Sequence, residues 1–529
     1  MKRSDKHSCA RIVMAAGLAA ALVSAFGLPA VHAQTAGSTQ PAGQPPVRRL
    51  SIDDAVATSL EQNLDLQVQR LNPVIRDTDM AVFRANYTPN FTSTVNVIDN
   101  TQPSSSALSG ATGGLTVNRN TYDFGVGSLS KWGGATYAVN FSNARTTSNN
   151  IFTSFDPQLT SSVNVNYTQP LLRNFKIDGT RQQLFISQKN REISDVQLQQ
   201  SIAQTVRNVK NAYYDLVYAI GNLGVQRQSL ELAQQSLKDN RARVEIGTMA
   251  PLDIVQAEAE VATREESVII AEAAIERTQD AVRALVYSPS SPDFWNARIE
   301  PTDTISFQPA AVDLDGAVRN ALSQRTDLAV ARKSLESTDV NIRYFRNQSM
   351  PDVNAAVNYS AQGIGGVLLQ RGPGTGLQPG PILSTVERSF FSTLGTVFGG
   401  DFPGWTFSLD IAYPIGGSSN EASLARSRLQ LQQDQKRIST LELQVAQQVR
   451  EGARQVQTNA KRVDATRSSR ALAEKRLEAE EKKYQAGMTQ NFFVLQAQRD
   501  LNVARNSELL ALVEYLKSVV NYQAVQVTP

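Results

Sequence analysis

Between residues 182 and 246 the chain contains no proline, and glycine only at Gly221 and Gly224. Within that stretch Ile202, Val206, Val209, Tyr213, Leu216, Ile220 and Leu223 recur at alternating steps of four and three. Leu230, Leu237 and Val244 continue the series in sevens. This is a coiled-coil seam. The helix it predicts is nearly ~100 Å long at 1.5 Å per residue, against a usual ~11–12 residues. A core helix of a globular bundle is the alternative, and this length argues against it. Gly247-Thr248-Met249-Ala250-Pro251 then interrupts the pattern. Glycine suits a helix C′ position and proline starts the next helix. Ile254, Val261, Val268, Ile275 and Val282 form a second seven-step series. The returning arm, roughly 251–287, spans ~55 Å. The unit is a long helical hairpin.

The chain states this plan twice. DAVATSLEQNLDL at 54–66 meets GAVRNALSQRTDL at 316–328, an offset of 262 that holds to Pro89 and Pro351. Pro170 faces Pro414 at offset 244, and Gly247 faces Gly487 at offset 240. Loops absorb such length differences cheaply. Two units of this size are not a solenoid. They imply two structurally equivalent halves. The second hairpin, about 421–523, has a poorer seam: Val449, Val456 and Val463 keep the sevens and Arg470 breaks them.

The N-terminus reads as an export signal. Lys2, Arg3, Lys6 and Arg11 precede an apolar stretch at 12–31, and Val31-His32-Ala33 offers a cleavage site. A first transmembrane helix is the alternative, but no polybasic stop flank follows. Cleavage after Ala33 removes four basic residues and one acidic one, so 52 and 49 become 48 and 48. It also removes the only cysteine, Cys9, and both histidines, His7 and His32. Thiolate metal sites, cysteine nucleophiles and histidine bases are then excluded. The balanced charge carries no nucleic-acid footprint. No other apolar run approaches the ~20 residues of a membrane helix, so a membrane span must be made of strands.

Such strands lie between the paired prolines. Phe91, Ser93, Val95 and Val97 alternate with Thr92, Thr94 and Asn96. Tyr137, Val139 and Phe141, then Val163, Val165 and Tyr167, alternate with Asn, Thr, Ser and Ala. The second half repeats this at 353–359 and 405–413. One face is apolar and aromatic; the other is small, polar and nearly uncharged. A soluble sandwich also has period two, but an Asn/Thr/Ser face fits a barrel with a wet lumen. Segments 100–133 and 361–403 read as external loops, although Leu115–Val117 could extend a strand. About four strands cannot close around water, and lipid does not tolerate open edges. Several chains must therefore share one barrel.

The expected organisation is a signal peptide at 1–33, a linker at 34–50 and two repeats. The first, 51–310, carries strands about 90–168 and a hairpin about 182–287 with its tip at 247–251. The second, 311–526, carries strands about 352–413 and a hairpin about 421–523 with its tip at 487–491. The fold class is mixed α and β: a membrane β-barrel of about four strands per chain, shared by several chains and continued by a long coiled-coil α-barrel; the family resemblance described next implies that the barrel is trimeric and lies in the outer membrane, with the α-barrel in the periplasm.

The order and spacing of these features resemble the TolC-type outer-membrane factors. Tyr167-Thr-Gln-Pro-Leu-Leu172 stands at the return into the long helix, and the turn segments at 247–257 and 484–497 match the family's tips. The resemblance covers about 50–525. It implies a homotrimer, a twelve-stranded barrel in outer-membrane lipid, and tips that meet a periplasmic membrane-fusion adaptor protein. It implies no cofactor and no metal. Adaptor docking would fall on Gly247, Thr248, Gly487 and Met488; helix capping alone also explains the glycines. Pro89, Pro170, Pro351 and Pro414 would mark the barrel–helix junctions. Asp253, Phe493 and Gln496 are the aperture candidates. Some family members place acids at the positions of Phe493 and Gln496, so an acid-ringed gate is not expected; a neutral or apolar constriction is.

The function this predicts is passive, non-enzymatic conduction to the cell exterior. An inner-membrane transporter, of antiporter or ABC type, would drive it through the adaptor of a tripartite efflux pump. A type I secretion duct is the nearest alternative. A periplasmic coiled-coil adaptor, a carboxylate-based enzyme and a fibrous protein fit the pattern less well.

Overall fold

The computed structural model describes residues 46–103, 114–247, 249–290, 294–303, 306–375 and 379–529. The expected signal peptide, most of the linker and Thr248 lie outside the described residues. Helix α1 (Ile52–Gln62) is capped by Ser51, whose hydroxyl accepts from the Asp54 amide, and α2 (Leu64–Ala85) by Asn63. Strands β2 (Asn90–Gln102), β3 (Leu115–Leu129), β4 (Thr136–Ser148) and β5 (Phe155–Pro170) follow the short β1 (Val47–Leu50). Helix α3 (Gly179–Glu245) has 67 residues and α4 (Pro251–Val286) has 36. After β6 (Arg298–Pro301) come α5 (Leu314–Gln324), α6 (Thr326–Gln348), β7 (Asp352–Arg371), β8 (Ile382–Arg388), α7 (Phe390–Gly399) and β9 (Pro403–Ala412). Helices α8 (Ser419–Gln485, 67 residues) and α9 (Asn491–Val525, 35 residues) complete the chain. The starts of α1, α2 and β2 at 52, 64 and 90 and of α5, α6 and β7 at 314, 326 and 352 differ by 262 in each case.

The heptad series is the core of the first hairpin. Val209, Tyr213, Leu216 and Leu223 of α3 bury against Ile275, Val282 and Val286 of α4. Each such burial contributes about 1.5–3 kcal/mol before chain entropy is charged against it. Strands β1 and β6 pair in parallel beside them, and the Tyr213 hydroxyl donates to Asp303 at 2.7 Å. Burial and that carboxylate both push the phenol's pKa up. The second hairpin packs Val456 and Val463 against Ala511 and Tyr515, and Leu477 against Val494 and Leu501. Arg470, which interrupts the sevens, pairs with Glu508 of α9 at 2.9 Å.

The sheet corrects the expected strand count. Among the described residues it has seven strands, in the order β2-β3-β4-β5-β7-β8, with β9 on the lower part of β7 and β8 on its upper part. Six of them, β2-β3-β4-β5-β7-β9, form one up-and-down antiparallel run. The segments read as external loops therefore contain β3, β8, α7 and extensions of β2 and β7. The cause is local. Asn118 and Asn120 fall in the apolar row of β3 and break its alternation, and Gly125 and Gly127 mimic a loop.

Candidate functional site

The pairing register sorts the sheet into two unlike faces. Phe91, Val126, Val139, Val165, Tyr359 and Trp405 lie opposite one another in sequence across six strands. Phe124, Phe141, Val163 and Ala361 form the next row on that face. The other face carries Thr92, Gly125, Asn140, Asn164, Ser360 and Gly404, then Asn90, Gly127, Ala138, Asn166, Asn358 and Thr406. Facing residues in an antiparallel pair share a side. An apolar belt thus runs unbroken through β3 and β4, and a small polar surface backs it. Among the described residues no helix is long and apolar enough to cross a membrane.

The four junction prolines sit where sheet meets helix. Pro89 and Pro351 precede β2 and β7, Pro170 ends β5 and Pro414 follows β9. Beside Pro170 the chain is knotted to α6. Arg173 donates to Gln348 at 2.7 Å, and the Asn174 amide donates to Asn347 at 2.8 Å. Arg181 holds both Asp178, the cap of α3, and the Asn174 carbonyl. These partners lie up to 175 residues apart, so no local pattern announces them.

At the opposite end of the hairpins, Gly247 and Gly487 adopt φ of 76° and 71°. The Gly487 amide donates to Tyr484 and the Met488 amide to Lys483, a Schellman closure. A Cβ built on either glycine meets nothing within 4 Å. Only backbone conformation demands glycine there, and the surface beside it is open. Ile246, Leu252 and Val255 on one tip, and Met488, Phe492 and Phe493 on the other, are exposed. Phe493 is 48% exposed and stacks edge-on against Phe492 at 5.6 Å. Gln496 donates to Asp500, which pairs with Arg476. Asp253 sits in the first turn of α4, where a helix N-terminus favours an acid. It also lies within electrostatic reach of Tyr484. That tyrosine donates to Asn240 at 3.2 Å, beneath the Arg243 guanidinium. Burial pushes its hydroxyl pKa up.

The contact between the two hairpins is different in kind from the contacts within them. Along α3 and α9 the pairs are Asn211–Asn521, Asp215–Lys517, Tyr218–Asn506, Gln226–Asn502 and Gln228–Arg505. Leu509 over Gly221 is an apolar exception. Nearer the sheet, Lys333 of α6 reaches Glu192 of α3, and that bond is the main reason the Glu192 carboxyl titrates below its usual range. Towards the tips the seam ends in a buried charge cluster. Glu260, 6% exposed, accepts from Arg264 on one oxygen and from Arg499 of α9 on the other. Burial raises this carboxyl's pKa, but the bonds from Arg499 and Arg264 together outweigh that and hold it below the usual carboxylate range. Glu260 and Arg499 were not found from the sequence. Each looks there like one more charge on a wet helix.

A protein-family model described as outer membrane efflux protein matches residues 134–286 and 317–524, more than half of the chain. The chain belongs to the outer membrane efflux protein family. Its fold agrees. CusC, in a structure of folding and transmembrane channel formation, superposes with a TM-score of 0.64 at 15% identity, covering 90% of this chain and 91% of that one. VceC, an outer membrane protein of Vibrio cholerae, gives 0.61 at 14%, covering 90% and 96%. The CmeC outer membrane channel of Campylobacter jejuni gives 0.61 at 12%, covering 94% of each. No curated protein matches the sequence significantly. This outer membrane efflux protein is an outer-membrane exit duct with a periplasmic helical domain. Among the described residues no cluster of metal-ligating side chains occurs.

Proposed function

We propose that three copies close into one shaft that conducts substrate passively from a periplasmic adaptor and an inner-membrane transporter to the cell exterior. The observation that carries this is the pair of open sheet edges: among the described residues β2 pairs only with β3, and β9 only with β7. Strand directions alternate along the run, so β9 of one copy is antiparallel to β2 of the next. Head-to-tail contacts of this kind close into rings, and lipid leaves no edge unpaired. The helices support the same closure. Leu64, Val68, Leu71, Ile75 and Val82 form an exposed seam on α2, and α8 exposes Leu429, Leu443 and Leu472.

Six strands from each of three chains give eighteen, in place of the twelve that the family resemblance implies. Tilted strands occupy roughly 6 Å each of barrel circumference, so eighteen need roughly 110 Å. Each chain offers four helix widths, α2 or α4, then α3, α6 or α9, and α8. Twelve widths at roughly 9–10 Å need about the same circumference. The wider barrel therefore fits its helical tube without a step.

The tips are the adaptor-docking surface, centred on Gly247 and Gly487 with the exposed Met488 beside them. The aperture is lined by Phe493, with Asp253 and Gln496 behind it. Each hairpin moves as a body because its interior is apolar. The polar seam between hairpins is the opening plane, since its groups exchange partners with water at small cost. The two repeats open alike. Heat-modifiable trimers on gels together with stable conductance in planar bilayers are the expected result. A folded monomer without conductance overturns the reading.

A further inference from the structure

Helix α7 lies on the apolar face of the sheet. The Phe398 ring is 6.3 Å from that of Phe141, a residue of the belt. Thr393 and Val397 are buried against β7, and the wall beneath is cut away to receive them. A Cβ at Gly363 would stand 2.5 Å from the Thr393 carbonyl and 2.8 Å from Val397; one at Gly365 would strike the Thr393 hydroxyl. Beneath it a polar pair, Ser161 donating to Asn143 at 2.8 Å, is sealed from solvent. The helix is capped at both ends, by the Ser389 hydroxyl and by Gly400 at φ 71°. A wall hollowed to this degree and two caps describe a built element, not a loose crossing.

Its outer surface is aromatic. Phe391 is 81% exposed and Phe398 74%, with Phe390 and Phe402 beside them. No charged residue occurs from Ser389 to Gly400, while Arg388 and Asp401 flank the segment. Water is a poor solvent for such a face. Its height on the wall is informative. From Val353 to Gly363 the strand climbs roughly 33 Å, which at a ~45° tilt is about the 25 Å of a barrel's apolar band. Helix α7 thus sits at the outer rim of the belt, continuous with it through Phe141.

We propose that α7 is a lipid-seated helix, its inner side locked to glycines of β7 and its phenylalanines immersed among the acyl chains of the outer leaflet. It would fix the height of the barrel in the membrane and shield the polar Asn143–Ser161 pair from hydrocarbon. The assignment rests on the apolar face of the sheet being the lipid face, and its test separates the two claims.

Residues 34–529 hold no cysteine, so single nitroxide labels are readily placed. Variants F391C and F398C are purified as the full assembly and reconstituted in phosphatidylcholine vesicles. Their relaxation by oxygen and by a water-soluble nickel chelate is measured, with V357C as the belt reference and M488C as the aqueous one. If F398C fails to assemble, S392C reads the same exposed side. Labels on α7 should be oxygen-dominated like V357C, with nickel accessibility several-fold below M488C. Nickel accessibility equal to M488C, with V357C in lipid, overturns the seat in lipid and leaves the barrel standing. Labels reached by neither reagent mean that protein covers the helix, and overturn it equally. If V357C is itself in water, the lipid face and the helix assignment both fall.

Discussion

Arg499 of α9 donates two hydrogen bonds, of 3.0 and 2.7 Å, to one oxygen of Glu260 on α4. The residues are 239 apart in sequence and join the two hairpins near their tips. Glu260 is buried and Arg499 is half exposed, so the bond is strong on one side and within reach of water on the other. That is what a latch between two rigid hairpins requires.

Removing one end should favour the open state. In R499A, Glu260 keeps Arg264, so the loss is about 1–2 kcal/mol, not the 3–5 of an abandoned buried charge. That is a ~5- to 30-fold shift between closed and open forms. Planar-bilayer recordings should show longer or larger openings than the native protein, while thermal stability of the assembly changes little. Unaltered conductance would mean that the pair does not hold the gate.

The latch also has a pH signature. With the hairpins latched, the Arg499 and Arg264 guanidinium groups outweigh burial and hold the Glu260 carboxyl below its ordinary range. Its stabilisation is therefore complete above the ordinary carboxylate range and is lost as pH falls through the depressed value. Conductance should be flat from about pH 7 to 5 and rise only below about 4. The E260Q variant should lose that acid rise. A rise centred near pH 6 would point to a different group.

The tip glycines separate stability from docking. Since a Cβ there meets open space, G487A carries only the strain of a positive φ, about 1–2 kcal/mol. Its melting temperature should fall by a few degrees at most. G487L should lose adaptor binding far more than it loses stability, as read by co-purification with a periplasmic adaptor. Equal losses of both would reduce the glycine to a helix cap.

Phe493 is exposed within a single copy, so its ring is free to line the aperture of the assembly. F493A should change single-channel conductance without moving the thermal midpoint by more than a degree or two. No change in conductance would remove it from the constriction.

Much of this shaft was readable from local spacing. Val209, Tyr213 and Leu216 announce their seam because a buried helix face repeats every seven residues, and they are fully buried. The faces of β4, β5, β7 and β9 were readable for the same reason, at period two. Strand β3 was not, because Asn118 and Asn120 stand in its apolar row and its glycines interrupt the pattern. Helix α7 was not, because ten residues between Ser389 and Gly400 are too few to show a period and its partner glycines lie on another element. The tip glycines declared their conformation but not their neighbours. The Glu260–Arg499 pair was invisible, since charge on a long helix usually marks a solvated face and only tertiary packing buries this one.

Open edges on a six-stranded run force several copies to build one hollow shaft. A cryo-electron microscopy map of the protein in lipid nanodiscs, resolved well enough to separate strands, tests it directly. The expected map shows a single threefold lumen walled by eighteen strands, with β9 of each copy paired to β2 of the next. A barrel closed within one chain, or a twelve-stranded wall with β3 and β4 peeled away from it, would contradict it.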